Sequence, residues 1–303
     1  MSEKKYQLDH KIKQAQDFES QGKLLHSVQI YNSLIEENPD IVELYFRLSN
    51  LYEQLGNLNS ASNLLKQIFD KDPENKDIRL YYGQFFLRNS KWEEAIDILS
   101  FIMPQEEPTV SFFVGYSHFM LNEYELAKNS FLNFISFEKQ SELVQEAYIY
   151  LAKIELKLKN FENTLAYAKK AEIMYSNFWE LNKIYAETYY SMGMFAHAVM
   201  PIEKAIKLNP EEPSVYELAG KIYLKLSEFG KAEKNFLKYI EKIEDVSSDI
   251  YTKLAEACLK SQKTKDAIAY FDIALKLDPE NQSALNGKNQ AYSLLNNSVV
   301  SDG

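Results

Sequence analysis

The sequence predicts an all-α fold, a solenoid of stacked helix-turn-helix repeats, and two observations support this prediction. A pattern of apolar and small residues recurs about every 34 residues, with spacings of 34, 34, 32, 37, 34, 34 and 35 between successive repeats. Within each repeat the apolar residues are spaced by three and four, and no window of comparable strength alternates apolar with polar residues. Such arrays typically build long surfaces that hold other molecules rather than catalytic pockets.

The last complete repeat shows the pattern of one unit. Its first helix is marked by apolar residues on one helical face, which are Tyr251, Leu254, Ala255 and Cys258. The polar stretch SQKTK then interrupts the pattern, which predicts a turn. A second apolar face follows, formed by Ala267, Ile268, Phe271, Ala274 and Leu275. Pro279 comes directly after this face and ends the second helix, because proline cannot continue a helix.

Small residues occupy two positions of every repeat, counted from its first residue. Position 8 holds Ala15, Ser49, Gly83, Gly115, Ala152, Ala186, Gly220 and Ala255. Position 20 holds Ser27, Ala61, Ala95, Ala127, Thr164, Ala198, Ala232 and Ala267. Two helices approach closely only where both lack bulk, so we predict that the helices of a repeat touch at these positions. Large residues at positions 11 and 24 then fill the remaining space to native density.

This arrangement resembles the tetratricopeptide repeat family. The family consensus has large residues at positions 4, 7, 11 and 24, small residues at 8, 20 and 27, and proline at 32. Repeat six matches it with Tyr185, Ala186, Tyr189, Ala198, Ala205 and Pro210. Repeat two matches it with Tyr45, Leu48, Tyr52, Gly56, Ala61 and Pro73. The resemblance covers residues 8–281 and implies a right-handed superhelix of stacked helix pairs.

The repeat pattern divides the chain into eight repeats between two end segments. The repeats are predicted at 8–41, 42–75, 76–107, 108–144, 145–178, 179–212, 213–247 and 248–281. We expect an N-terminal tail at 1–7, a capping helix at 282–297 and a disordered tail at 298–303. Leu285 and Tyr292 are predicted to cover the open end of the last repeat. The 37-residue spacing predicts a longer link near residues 139–144, either a simple loop extension or a change of curvature.

Composition and charge restrict the class of protein. The net charge of −10 argues against nucleic acid as a partner. Residues 1–150 carry 14 Lys and Arg against 23 Asp and Glu, whereas residues 151–303 carry 20 against 21. The acidic first half either serves solubility or favours a basic partner segment. A single cysteine, Cys258, predicts a reducing compartment and therefore a cytoplasmic protein. No stretch is long and apolar enough to predict a membrane span or a signal peptide.

Motifs for catalysis, metals and cofactors are absent from the sequence. The four histidines, His10, His26, His118 and His197, form no zinc motif. Neither a GxxxxGK[ST] phosphate loop nor a GxGxxG loop occurs. Cys258 falls on a core position, which favours an inert buried thiol over a nucleophile. The sequence therefore predicts no catalytic residue, no metal, no cofactor and no enzymatic activity.

The resemblance also implies where a partner would bind. In the family, positions 2, 5, 9, 12 and 13 of the stacked first helices line a concave groove. Carried over to this chain, the groove residues are Phe46, Asn50, Leu80, Gln84, Leu87, Phe112, Tyr116, Phe119, Met120, Lys153, Lys183, Tyr190 and Lys221. Repeat four places three aromatic residues and a methionine there, which predicts an exposed apolar binding site. The alternatives for these four residues are a contact with a second copy of the chain and a place in the core.

The lysine and asparagine clamp by which one subfamily binds the acidic C-termini of chaperones is not matched. Phe46 and Tyr81 stand where that clamp requires lysine and asparagine. We therefore expect a non-enzymatic scaffold or adaptor that binds an extended or helical segment of another protein in its groove. The alternative is a regulatory or substrate-recruiting subunit of a separate catalytic chain, for which stoichiometric co-purification of that chain would be the sign. Self-association is a further alternative.

Overall fold

The computed structural model describes residues 3–174 and 177–301. Over these residues the chain consists of 17 helices joined by turns and short links, without a strand. The helices fall into two compact units, residues 1–141 and 142–303. The division coincides with the link after repeat four, where α8 ends at Phe137 and α9 begins at Glu142. Each unit is described below by itself.

The first unit contains four helix pairs. They are α1 (Glu3–Ser20) with α2 (Leu24–Glu37), α3 (Val42–Gln54) with α4 (Leu58–Lys71), α5 (Lys76–Arg88) with α6 (Trp92–Leu99), and α7 (Thr109–Met120) with α8 (Tyr124–Phe137). Successive helices pack on each other, and α5 also contacts α7. With the contact of Phe46 and Tyr81 between α3 and α5, the first helices α3, α5 and α7 are thus joined in sequence.

The second unit contains four further pairs and a last helix. They are α9 (Glu142–Lys157) with α10 (Phe161–Met174), α11 (Trp179–Ser191) with α12 (Phe195–Leu208), α13 (Pro213–Lys225) with α14 (Phe229–Ile240), α15 (Ser248–Lys260) with α16 (Thr264–Leu277), and finally α17 (Gln282–Ser301). The first helices contact one another in the order α9, α11, α13, α15 and α17. Their outward side chains therefore share one continuous face.

The small positions are where the paired helices meet, as predicted. All residues at positions 8 and 20 are buried. A Cβ atom added to Gly83 would lie 2.4 Å from the side chain of Leu99, and one added to Gly220 would lie 2.6 Å from Phe236. Leu99 and Phe236 both hold position 24, so the large residue of the second helix fills the space left by the small residue of the first.

Every turn between paired helices contains one residue with a left-handed backbone. This residue is at position 15 in all eight repeats: Gly22, Gly56, Ser90, Asn122, Lys159, Gly193, Ser227 and Gln262. The next residue donates its N–H to a carbonyl five residues earlier, for example Lys263 to Cys258 at 2.9 Å. This is the Schellman ending of a helix, which needs positive φ at that residue. Five of the eight residues accept that conformation without being glycine.

Two predicted tails are helical, which corrects the sequence analysis at both ends. The backbone of α1 is helical from Glu3, inside the tail predicted at 1–7, and α17 continues to Ser301, inside the tail predicted at 298–303. Neither segment contains proline or glycine before the helix boundary. Extending an existing helix adds one hydrogen bond for each residue fixed, so helices run on where no breaker stands. Residues 1–2 and 302–303 lie outside the described residues.

The last helix caps the second unit with a different face from the predicted one. Leu285 and Tyr292 are 41% and 43% exposed, so they do not cover the preceding pair. Ala284 and Ala291 are fully buried instead, and a Cβ atom added to Gly287 would lie 2.3 Å from Phe271. Among the described residues no second helix follows α17, and Leu285 and Tyr292 are open to solvent there.

Truncation after Asn281 should drive self-association or precipitation of the chain. Without α17 the buried ring of Phe271 loses the cover of Gly287 and a stacking face is exposed. Sedimentation velocity of the truncated chain against the full chain measures this effect. Deletion of residues 296–303 alone is the control, since it keeps Ala284, Gly287 and Ala291 in place. Equal sedimentation and equal melting of the truncated and full chains would contradict a capping role for α17.

Candidate interaction surface

The residues predicted to line a groove fall on the first helices of both units. In the first unit they lie on α3, α5 and α7, and in the second on α9, α11 and α13. Asn50 and Met120 are exposed and Phe112 is buried. The others are half-buried: Phe46, Leu80, Gln84, Leu87, Tyr116, Phe119, Lys153, Lys183, Tyr190 and Lys221. We call this surface the first-helix face and treat its two parts separately.

An aromatic stack joins α3 to α5 on the first-helix face of the first unit. The rings of Phe46 and Tyr81 are parallel with centroids 3.9 Å apart, and the Tyr81 hydroxyl donates to the Phe46 carbonyl oxygen at 2.9 Å. The Arg88 guanidinium lies 5.7 Å from the Tyr81 ring and donates to both carboxylate oxygens of Glu53, at 3.3 and 2.8 Å. Bidentate pairs of this kind hold both side chains in one geometry, so this part of the surface is preorganised.

Phe112 is a core residue, which corrects the prediction for repeat four. It is 5% exposed, and its ring meets the rings of Phe131 and Phe134 edge-on, each with centroids 5.5 Å apart. Successive residues of a helix point about 100° apart, so a residue at the margin of the apolar stripe can face either the core or the solvent. Packing against the neighbouring helix determines which of the two it does. Met120 is 42% exposed and remains available to a partner.

Aromatic residues at the start of the second helices extend this surface, and the sequence analysis missed them. The ring of Trp92, the first residue of α6, meets Tyr116 edge-on at 5.4 Å. In the second unit Phe195, the first residue of α12, meets Tyr190 at 5.4 Å. The signal was present, because position 17 holds a large residue in seven of the eight repeats: Leu24, Leu58, Trp92, Tyr124, Phe161, Phe195 and Phe229.

In the second unit the first-helix face is a lattice of alternating charges. One ion pair links neighbouring helices, from Lys153 of α9 to Glu180 of α11 at 3.3 Å. Further pairs run along single helices, from Lys183 to Glu187 at 3.4 Å and from Lys221 to Glu217. Half-exposed pairs of this kind contribute only about 0–1 kcal/mol each to folding. Their effect is to present fixed positive and negative groups to a partner rather than to hold the fold.

Two carboxylates on this face are held in surroundings that disfavour their charge. Burial raises the pKa of Glu146, and the neighbouring carboxylates of Glu180 and Glu142 raise it further. Burial also raises the pKa of Glu256, against the opposing effect of Lys253 and other nearby lysines. A bound proton or a positively charged partner group would therefore stabilise either carboxylate.

Glu256→Gln should stabilise the fold at neutral pH, whereas Glu172→Gln should destabilise it. The folded state holds the proton of Glu256 more tightly than the unfolded chain does, so its stabilising effect is present at acid pH and is lost as pH rises through the raised pKa. The pKa of Glu172 is lowered by a hydrogen bond from Lys169, so its contribution is present above the unfolded-state pKa and is lost as pH falls through the folded-state pKa. Melting curves from acid to neutral pH measure both effects. Parallel curves for the two variants would contradict these assignments.

His118, Glu155 and Cys258 could carry chemistry by residue type, but their contacts are those of structural residues. His118 Nδ1 lies 2.6 Å from Glu123 Oε2, a contact within the turn of repeat four. Glu155 is buried at the same position of repeat five and accepts a hydrogen bond from Asn160 at 2.8 Å. Burial raises the pKa of the Cys258 thiol to about 12, so it is a thiol and not a thiolate at neutral pH. Among the described residues, no three His, Cys, Asp or Glu side chains are grouped to hold a metal ion.

The helix pairs, their small contact positions and the face carried by the first helices define an all-α helical-repeat solenoid. Two family models, each described as tetratricopeptide repeat, match the sequence at residues 46–100 and 248–281. Over these two segments the chain therefore matches the tetratricopeptide repeat family. In the described part of the chain, no helix is both long and apolar enough to cross a membrane.

Similar proteins share this architecture at low sequence identity. Human tetratricopeptide repeat protein 16 is 20% identical over 89% of this chain, which spans 34% of that protein. The human cell division cycle protein 16 homolog is 29% identical over 31% of this chain and is matched over 16% of its own length. This chain therefore spans about a third or less of these relatives.

Solved structures show the same fold. A chain in the crystal structure of the APC/C hetero-tetramer Cut9-Hcn1 aligns with a TM-score of 0.62 and 16% identity, over 88% of this chain and 52% of that one. A tetratricopeptide repeat protein from Parabacteroides merdae aligns with a TM-score of 0.61 and 20% identity, over 82% of this chain and 98% of that one. At these identities the likeness is one of fold.

Proposed function

We propose that this protein is a non-enzymatic scaffold or adaptor that binds an extended or helical segment of a partner protein in a concave groove lined by first helices. The observation that carries the proposal is the chemistry of the first helices in each unit. The first unit has a preorganised aromatic stack at Phe46 and Tyr81 and the exposed Met120. The second unit, taken by itself, has fixed charges on its first helices. Aromatic and methionine side chains suit adaptable apolar contacts, and fixed charges set orientation.

Two further observations support a binding role. Positions 8, 20 and 24 are buried in every repeat, so the helix pairs meet through residues other than the exposed Met120. The solved structure with the higher TM-score of the two comes from a hetero-tetramer, so the fold occurs in protein assemblies. We infer from the fold that the partner is a protein, and from the single cysteine, Cys258, that this chain acts in the cytoplasm.

Met120→Asp should abolish recovery of the partner, whereas Met200→Asp should leave it unchanged. Both changes replace an exposed methionine by the same charge, but Met120 lies on the first-helix face and Met200 on the second helix α12. A carboxylate buried against an apolar partner surface weakens binding by a factor of about ten or more. Affinity capture from lysate with quantitative mass spectrometry measures the recovery.

The melting temperatures of both variants should stay close to that of the wild type, because both methionines are exposed. Phe112→Ala serves as the structural reference and should melt several degrees early, since its ring is buried. If Met200→Asp loses the partner and Met120→Asp retains it, the partner binds the second-helix layer and the proposal is wrong. Recovery of a catalytic chain in stoichiometric amount would identify this protein as a subunit of that enzyme.

A further inference from the structure

A cavity of about 570 Å³ lies at the end of the first-helix face in the second unit. Its walls come from α13, α15 and α17, with Phe229 of α14 and Phe271 of α16. The floor is apolar, with Leu224, Leu259 and Phe271. The rim is polar and carries two lysines, one glutamate and the side-chain amides of α17: Lys225, Lys260, Glu256, Asn286 and Gln290. An apolar floor with a few convergent polar groups is the usual composition of a ligand site.

The two lysines of the rim differ from most lysines on this face. Lys153, Lys183 and Lys221 each have a carboxylate partner within 4.0 Å. Among the ion pairs of the described residues, none involves Lys225 or Lys260. Both are the last residues of their helices, α13 and α15, where the free carbonyl groups favour a positive charge. The rim therefore carries two exposed ammonium groups, neither of which has an ion-pair partner within 4.0 Å.

Glu256 lines the same cavity as the two lysines. It lies close enough for Lys225 and Lys260 to favour its ionised form, yet it forms no ion pair with either lysine within 4.0 Å. With two ammonium groups and one carboxylate, the rim carries a net charge of about +1 at neutral pH. The side-chain amides of Asn286 and Gln290 on α17 add donors to the lining. This set of donors matches a carboxylate, whose oxygens accept several hydrogen bonds at once.

We propose that this cavity binds an acidic side chain of an extended partner segment, with a neighbouring apolar side chain on the floor formed by Leu224, Leu259 and Phe271. The inference rests on the proposed function, because it names the partner's chemistry at one end of the same surface. Lys225 and Lys260 hold the carboxylate, and Asn286 and Gln290 donate to it or to the peptide backbone. Glu256 sets the selectivity, since it repels a second acidic group.

The test uses the full chain and a short fluorescein-labelled peptide that alternates aspartate and leucine, with binding followed by fluorescence anisotropy. The Lys225→Gln/Lys260→Gln double variant should bind it about tenfold more weakly. The control is Lys207→Gln/Lys234→Gln, which makes the same change in net charge at exposed lysines of α12 and α14 and should leave the affinity unchanged. Glu256→Gln should strengthen binding, because it removes the repulsive carboxylate.

The same peptide with asparagine in place of aspartate should not bind measurably, and salt should weaken binding of the acidic peptide by screening. The inference is overturned if the acidic peptide fails to saturate the wild type below about 1 mM. Equal affinity of Lys225→Gln/Lys260→Gln and wild type, or equal binding of the asparagine peptide, overturns it as well. The capture experiment with Met120→Asp decides the proposed function separately. A partner recovered there without binding of the acidic peptide removes only this inference.

Discussion

Gly220→Leu should lower the melting temperature of the protein by several degrees. A Cβ atom at Gly220 would lie 2.6 Å from the ring of Phe236, which is fully buried between α13 and its neighbours. Forcing bulk into such a contact costs about 1–3 kcal/mol or more, since paired helices must separate. In a chain of this size each kcal/mol corresponds to about 2–4 °C. Thermal unfolding followed by circular dichroism measures the change.

Gly230→Ala is the matched control for this prediction. Gly230 also lies in a helix, α14, but an added Cβ atom would have no heavy atom within 4 Å. Alanine is the better helix former, so this variant should be more stable by about 0.5–1 kcal/mol. The two substitutions therefore differ in sign. A loss of stability in both variants would show that glycine acts here through the backbone and not through close approach of the helices.

Phe271→Ala should cost about 3–5 kcal/mol, the range for removing a fully buried aromatic ring. The ring belongs to the core of the second unit and fills the space above Gly287 of α17. Its loss therefore weakens the last repeat and loosens the capping helix together. Urea unfolding measures the change in stability, and amide hydrogen exchange of residues 282–295 measures the release of α17.

Ile273→Ala is the control on the same helix. Ile273 lies two residues from Phe271 but is exposed on α16, so its truncation should change stability by about 0.5 kcal/mol or less. Exchange in α17 should be unaffected. If Phe271→Ala lowers stability while α17 exchanges as slowly as in the wild type, the helix is held by Ala284 and Ala291 without the ring.

The sequence alone determined the helix pairs and the positions where they touch. Period and residue size carry this information, because one face of each helix is apolar and only small residues allow close approach. Ala198 and Gly220 were predicted as contact positions and both are buried. Glu155 and Cys258 depart from the large apolar residues expected at position 11. Their position still predicts a place in the core, and both are fully buried.

The candidate surface was predictable in outline but not residue by residue. Positions 2, 5, 9, 12 and 13 of the first helices were predicted for this surface from the resemblance to the tetratricopeptide repeat family. Phe112 nevertheless packs on Phe131 and Phe134, because a large ring at the margin of the apolar stripe gains more by burial than by exposure. Tyr81 and Trp92 belong to the surface for the opposite reason, since stacking on Phe46 and Tyr116 leaves them half-exposed.

The tertiary structure alone decided the turns, the capping face and the end cavity. Position 15 is left-handed in every repeat, at Lys159 and Gln262 as at Gly22, because the packing of the paired helices fixes the turn and overrides the residue's own preference. The cap uses Ala284 and Gly287 because these residues of α17 are on the face that packs on Phe271 and the preceding pair. The repeat pattern of the sequence shows which positions are apolar or small. Which neighbour covers each of them depends on contacts between helices that are distant in sequence.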